Sequence, residues 1–250
     1  MTDPTPVDTP YGTLYVDPEE LVIGRLLQAD GQIPDISEEV AFFRKYLKPG
    51  DTAIDVGANY GLFTLALAQI VGKVGGVIAY EPNTLLHGCL VQTMTGLSCR
   101  FAVTNIALGR EPGWGSLRLD PRGSGGTQIL VNQKVGKAWI TGNMEASPVR
   151  IDTLDASTRS HHRPIKAIKI DAEGMDVDVL LGAENILRED RPAVIFEWNP
   201  EAMKTLSKAP EEEFMHLLWL SSRVDYDVTT LDGELWPERL AGNLAFVPEV

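Results

Sequence analysis

From Ile36 to Val247 the apolar residues alternate between helical spacing and short unbroken runs, which predicts helices and strands in turn. Ile36, Val40, Phe43 and Leu47 share one helical face, with Asp35 and Glu38 as a cap-like start and Pro49-Gly50 as the stop. A strand over Thr52-Ala53-Ile54-Asp55-Val56 follows at once, and then a helix over about 60–71. Gly76 to Glu81 predicts a second strand, residues 84–95 a helix, and Arg100 to Thr104 a third strand. In the fourth, Ile165 to Asp171, Ile168 and Ile170 point one way and Lys169 the other. A helix with Val177, Leu180 and Leu181 on one face runs to about Arg188, before a fifth strand at Ala193 to Glu197. After a helix at about 210–222, Tyr226 to Leu231 and Asn243 to Val247 are expected as an antiparallel edge pair around Asp232-Gly233. Such alternation predicts an α/β fold with a mostly parallel central sheet and helices on both faces.

The pattern breaks at both ends of this reading. Pro4, Pro6, Pro10 and Pro18 make residues 1 to about 20 look like a poorly ordered or peripheral arm, so 1–35 is set apart from a single domain at 36–250. From Arg110 to Ser147 the chain is rich in glycine, and Leu117 with Leu119, Ile129 to Val131, and Ala138 to Ile140 read as short strands or hairpins. An insert of this length, about 110–147, is expected to be a lid or acceptor-binding flap rather than a peripheral extension.

Composition narrows the partners. The 250 residues suit one large α/β domain, and an apolar content of 44% suits a sizeable core. No apolar stretch approaches the roughly 20 residues of a membrane span. The start, Met1-Thr2-Asp3-Pro4-Thr5-Pro6, reads as neither a secretion signal nor a transit peptide. Cys89 and Cys99 have no metal-like spacing, so a reduced, cytoplasmic setting is expected. A net charge of −13 with no basic run argues against nucleic acid and leaves a small molecule, a glycan or a lipid-linked acceptor.

The chemistry concentrates at the strand tips. Asp55-Val56-Gly57-Ala58-Asn59-Tyr60-Gly61 is a strand ending near a carboxylate, then a glycine turn, then a helix, the arrangement that holds nucleotide-like ligands. A dinucleotide turn needs a glycine where this chain has Asn59, whose side chain crowds a diphosphate but tolerates S-adenosylmethionine, which has none. Glu81 ends the second strand, near the expected spacing of about 20 residues for an acceptor of ribose hydroxyls. Asn105-Ile106-Ala107-Leu108-Gly109 closes the third strand, where an amide or a backbone turn could meet an adenine.

Together these pieces resemble the FkbM family of S-adenosylmethionine-dependent O-methyltransferases. Besides the segments at 55–61 and 105–109, the resemblance rests on Tyr80-Glu81-Pro82-Asn83, Asp152-Thr153-Leu154-Asp155, and Ile168-Lys169-Ile170-Asp171-Ala172-Glu173-Gly174. It continues through Val179-Leu180-Leu181-Gly182-Ala183, Phe196-Glu197 and Asn243-Leu244-Ala245-Phe246-Val247, in the family's order over roughly residues 45–250. It implies a Rossmann-like class I methyltransferase fold. Asp55, Gly57, Asn59 and Gly61 would border the methionine part of the cofactor, Glu81 its ribose, and Asn105 and Ala107 its adenine. Where the family carries a final glutamate after the fourth strand, this chain has Asp176, with a shorter reach.

A hydroxyl acceptor must lose a proton, and Asp171 or Glu173 could take it directly, especially if burial raises its pKa. Their bland reading is a helix-terminus role. Some related-fold O-methyltransferases use a divalent metal instead; Asp171, Glu197 and Asn199 occupy analogous places, and all-oxygen ligation would suit Mg²⁺. His161 and His162 read as a solvated loop, His87 and His216 as helical, and none as catalytic. Of Trp114, Trp139 and Trp198, only Trp139 in the insert is a candidate for ligand stacking. Asn59 disfavours a nicotinamide dehydrogenase. Asn199-Pro200 after the fifth strand lacks the second proline and the aromatic of an amino-methyltransferase acting on DNA or protein glutamine. The remaining rival is a non-catalytic module that binds S-adenosylmethionine and acts through a protein partner.

Overall fold

The computed structural model describes residues 3–19, 33–118, 128–131, 146–160, 164–236 and 241–249. The first elements are the strands β1 (Thr5–Thr9) and β2 (Gly12–Val16), an antiparallel hairpin where an irregular arm was expected. Prolines do not prevent it, because half the N–H groups of a two-stranded ribbon face outward and Pro6 forfeits none that the pair needs. Leu14 and Val16 are buried, and Tyr15 N–H donates to Thr93 Oγ1 at 3.0 Å, so the hairpin packs on the helix Thr84–Thr95.

The helix Ser37–Tyr46 precedes β3 (Thr52–Val56), and the helix Leu62–Val71 precedes β4 (Gly76–Tyr80). The helix Thr84–Thr95 then leads to β5 (Arg100–Thr104). Next come β6 (Ala107–Leu108), β7 (Gly113–Arg118), β8 (Gln128–Val131) and β9 (Ala146–Asp152). These last four form a separate sheet in the order β6-β9-β7-β8, and Ala107, Leu117, Val149 and Ile151 make its small core. The expected strands around Leu119 and Ala138 to Ile140, and Trp139 with them, lie outside the described residues, as do His161 and His162.

The alternation resumes with β10 (Ile165–Ile170) and β11 (Ala193–Trp198), and ends with β12 (Tyr226–Thr229) and β13 (Gly242–Pro248). The seven-stranded sheet runs β12-β13-β11-β10-β3-β4-β5. From β11 through β5 every pairing is parallel. β3 sits in the middle of these five parallel strands and is buried at all five residues, since helices cover both faces. Ile54 and Ile168 anchor the core on one face, Ala53 and Leu67 the core on the other.

One detail extends the sequence reading and one departs from it. The late strands do pair antiparallel, but β13 inserts between β11 and β12, leaving β12 as the edge. Tyr226 explains that edge: its ring stacks on Phe246 at 4.6 Å between centroids, and its hydroxyl donates to Pro192 O at 2.9 Å. The single helix expected to run to Arg188 is two, Asp176–Leu181 and Glu184–Glu189. The break falls at Gly182, where a Cβ would lie 2.2 Å from Gly109 O.

Candidate functional site

At the carboxyl ends of β3, β4 and β10 the sheet opens into a cavity of about 360 Å³. The turn after β3 shapes one wall. Gly57 and Ala58 N–H both donate to Tyr80 O at 3.0 Å, which ties the turn to the end of β4. Gly57 (φ +73°), Asn59 (φ +52°) and Gly61 (φ +98°) all take the left-handed conformation, so the backbone curls around the cavity instead of entering a helix directly.

Glu81, only 5% exposed, faces this turn. Its Oε2 accepts Asn59 N–H and its Oε1 accepts Asn83 N–H, each at 2.8 Å. Burial outweighs those two bonds and pushes its carboxyl up to about 7. Each oxygen keeps a second acceptor position, as a pair of ribose hydroxyls would need. Asn105 braces the segment after β4: its amide donates to Glu81 O at 2.8 Å and Pro82 O at 3.0 Å. It does not border the cavity, whereas Ile106, Ala107 and Leu108 do.

Asp55 lies beneath the floor, fully buried and outside the lining. Its Oδ2 accepts Thr64 Oγ1–H at 2.6 Å, while Oδ1 has no hydrogen-bond partner. Burial raises its proton affinity against the pull of Lys169. Gly61 also stands outside the lining, packed on Leu90. Of the sequence-derived binding set, the structure therefore brings Gly57, Asn59, Glu81 and Ala107 to the cavity wall, and leaves Asp55, Gly61 and Asn105 as its supports.

The adjoining wall follows β10, the strand paired with β3. Asp171 N–H donates to Val56 O at 3.0 Å, and Asp171 Oδ2 lies 3.0 Å from Lys169 Nζ. Glu173 takes a left-handed backbone (φ +51°) and borders the cavity with Asp171. Burial first, then the charges of Asp171, Glu197 and Asp176, push the Glu173 carboxyl up to about 8. Asp176 is buried behind them, and burial with the Asp171 charge pushes it up to about 7. Its Oδ1 accepts Glu197 N–H at 3.1 Å and its Oδ2 accepts Ala172 N–H at 3.3 Å, so it clamps the segment after β10 to β11. The shorter aspartate thus acts on backbone and stays out of the lining.

Sequence reasoning missed part of the wall. Leu14 from the hairpin, Asp35, Ile36 and Glu39 around the first helix, Phe63, and Asn243 at the start of β13 all border the cavity. Glu39 Oε1 accepts Asn243 Nδ2–H at 2.7 Å across 204 positions, a pairing that no local pattern shows.

The candidate metal ligands are engaged with other partners. Asp171 pairs with Lys169, Asn199 Oδ1 accepts Ala202 N–H at 3.0 Å as a helix cap, and Asn199 Nδ2 donates to Glu197 Oε2 at 3.4 Å. No group of three or more His, Cys, Asp or Glu suited to a metal occurs among the described residues, so these residues do not fit Mg²⁺. Trp114, Trp198, His87 and His216 stand outside the cavity lining. Trp198 packs with Phe214 and Trp236, Trp114 is 57% exposed, and His216 lies 3.3 Å from Arg110 Nη2.

Raised carboxyls leave a mark on stability. Glu81, Glu173 and Asp176 hold their protons more tightly folded than unfolded, so the folded state binds more protons between about pH 4 and pH 8. Stability contributed by these groups is present at the acidic end of that window and is lost as pH rises through about 8. Melting temperature is expected to fall from pH 6 to pH 8.5, and Glu173→Gln is expected to reduce that fall. A Glu173→Gln profile identical to that of the parent would contradict the assignment.

No helix among the described residues is long and apolar enough to cross a membrane. Comparison with solved structures recovers the same architecture. A Streptococcus mutans protein assigned as a methyltransferase and solved in complex with SAH aligns at 10% identity and a TM-score of 0.50, over 86% of this chain and 99% of that one. Methyltransferase FkbM from Methylobacillus flagellatus KT aligns at 15% identity and 0.47, over 90% of this chain and 59% of that one. An rRNA methylase from Streptococcus thermophilus aligns at 14% and 0.47, over 88% and 99%. No curated protein matches the sequence. The sequence model of the methyltransferase FkbM domain matches residues 55–228, a span that takes in the turn after β3, Glu81 and the acids after β10. On that match, the chain belongs to the FkbM methyltransferase family.

Proposed function

We propose that this protein transfers the methyl group of S-adenosylmethionine to a hydroxyl of a small molecule or sugar. The observation that carries the reading is one cavity that gathers two chemically different groups: the turn residues Gly57 and Asn59 with Glu81, and beside them the acids Asp171 and Glu173. The donor end fits an adenosyl ligand. A Cβ at Gly57 would close the turn, and Glu81 retains acceptor capacity for two hydroxyls.

When bound, S-adenosylmethionine supplies a methyl already activated on a cationic sulfonium, and the acceptor oxygen displaces the thioether as the C–S bond breaks. The protein's share is alignment, exclusion of water and removal of one proton. Glu173, with its carboxyl near 8, suits the last task, because a base works best when its proton affinity lies near the working pH. The hydroxyl proton passes to the Glu173 carboxylate as the oxygen–carbon bond forms, and leaves to solvent after release.

A small-molecule acceptor is supported by the charge of −13, which opposes a phosphate backbone. Mass spectrometry after incubation with methyl-labelled donor tests the reading. Hydroxylated metabolites, free sugars and ribosomal RNA serve as separate acceptors. Label on a metabolite or sugar oxygen is expected. Label confined to RNA would overturn the acceptor class, and donor binding with no transfer to any acceptor would favour the partner-dependent module.

Two further outcomes bear on the same site. Glu81→Ala is expected to weaken donor binding by about 1.5–3 kcal/mol, the worth of hydrogen bonds to a charged group. Calorimetry showing unchanged affinity would remove Glu81 from the ribose. Because the acids after β10 and β11 do not fit a divalent ion, turnover is expected to survive exhaustive chelation; its loss, with recovery on adding Mg²⁺, would reverse that conclusion.

A further inference from the structure

Lys169 borders the same cavity as the turn after β3 and the acids after β10. It lies on β10, its side chain is 8% exposed, and it is the one lysine or arginine among the described residues that lines the cavity. Its Nζ lies 3.0 Å from Asp171 Oδ2 and 5.1 Å from the centre of the Phe63 ring, so its direction is fixed on two sides.

Carboxyl groups surround it from every element packed there. Asp55 comes from β3, Glu81 from the end of β4, and Asp171, Glu173 and Asp176 from the segment after β10. Glu197 comes from β11, and Glu39, on the helix Ser37–Tyr46, borders the same cavity. So many acids in a partly dry cleft cannot all ionise without a counter-charge, since each carboxylate opposes the next.

Burial disfavours the Lys169 ammonium, but Asp171 and Asp55 more than offset that, and its proton is held more tightly than usual. It therefore remains a cation at neutral pH and is no proton acceptor itself. Its charge favours the ionised forms of Glu81, Glu173, Asp176 and Glu197.

We propose that Lys169 is the positioning residue of the acceptor end: among the described residues it is the single cation lining the cavity, and its ion pair holds the Asp171 carboxylate beside Glu173. The role rests on the proton-transfer reading above. It differs from packing because it depends on charge and on reach, which lysine and arginine share and methionine lacks.

Carbon-detected NMR of the Glu173 side-chain carboxyl, titrated without donor or acceptor, tests this in the parent, Lys169→Met and Lys169→Arg proteins. The Glu173 midpoint is expected to rise in Lys169→Met, by more than the roughly 0.3 unit within which Lys169→Arg stays. The acid limb of the kcat/KM profile should move in step. An unmoved midpoint in Lys169→Met, or an equal shift in Lys169→Arg, would overturn the proposal. Lys169→Gln carries the same comparison if the methionine variant does not fold. Because the titration needs no substrate, a parent protein without methyl transfer would sink the functional reading and leave this test intact.

Discussion

Replacing Glu173 by glutamine is expected to lower turnover by about 100-fold or more, the contribution of a positioned general base, while donor affinity stays within about twofold. Glutamine keeps the size and the hydrogen-bonding end of the side chain, so the loss isolates the proton. The pH profile of the parent carries the same information. A base held near 8 by burial and by Asp171 is protonated and idle below that value, so turnover should rise with pH through about 8. A bound sulfonium opposes that protonation, which places the limb in the complex below the value for the free protein. Asp171→Asn removes the largest like charge on Glu173 and should draw the limb further to acid. If Glu173→Gln retains more than about a tenth of the parent's turnover, the base is elsewhere and Asp171 is the next group to replace.

Gly57→Ala is expected to remove donor binding and to destabilise the protein by about 2–5 kcal/mol, the combined scale of overpacking and of strain at a positive φ. The geometry leaves no room for a softer outcome. A Cβ at Gly57 would lie 1.9 Å from the carbonyl oxygen of Asp171, on a backbone with φ +73°. That carbonyl belongs to the segment carrying Asp171 and Glu173, so the turn cannot relax without displacing the acceptor end. Gly88→Ala is the matched control. It sits in the helix Thr84–Thr95 with nothing within 4 Å of the added methyl, and should stabilise by up to about 1 kcal/mol. Thermal unfolding and calorimetry on both variants check the pair; a Gly57→Ala protein that melts and binds like its parent would show that the turn is not shaped as described.

Much of the sheet could be read locally. β3, β4, β5, β10 and β11 are short apolar runs bounded by turns, and each run carries its own signal in a few consecutive residues. The glycine turn and Glu81 were legible for the same reason, since type and spacing along the chain suffice to pick them out. What was illegible depends on residues far apart. The hairpin Thr5–Val16 is ordered by burying Leu14 and Val16 against a helix some seventy positions later, which outweighs its prolines. The insertion of β13 between β11 and β12 reflects pairings such as Phe196 with Leu244. Function hid in the same way. Asn105 looked like an adenine contact but spends its amide on the carbonyls of Glu81 and Pro82. Asp176 looked like a weakened contact and proved to be a backbone clamp. Asp35, Glu39 and Asn243 reach the cavity only through tertiary packing.

The central claim is that one cleft grips an adenosyl ligand at the β3–β4 tips and presents its sulfur to the acids after β10. A co-crystal with S-adenosylhomocysteine tests this most directly. The account predicts ribose hydroxyls on the Glu81 carboxylate, adenine against Ala107, and sulfur on the side of Asp171 and Glu173. Density for the ligand anywhere else, or a ribose turned away from Glu81, would contradict it.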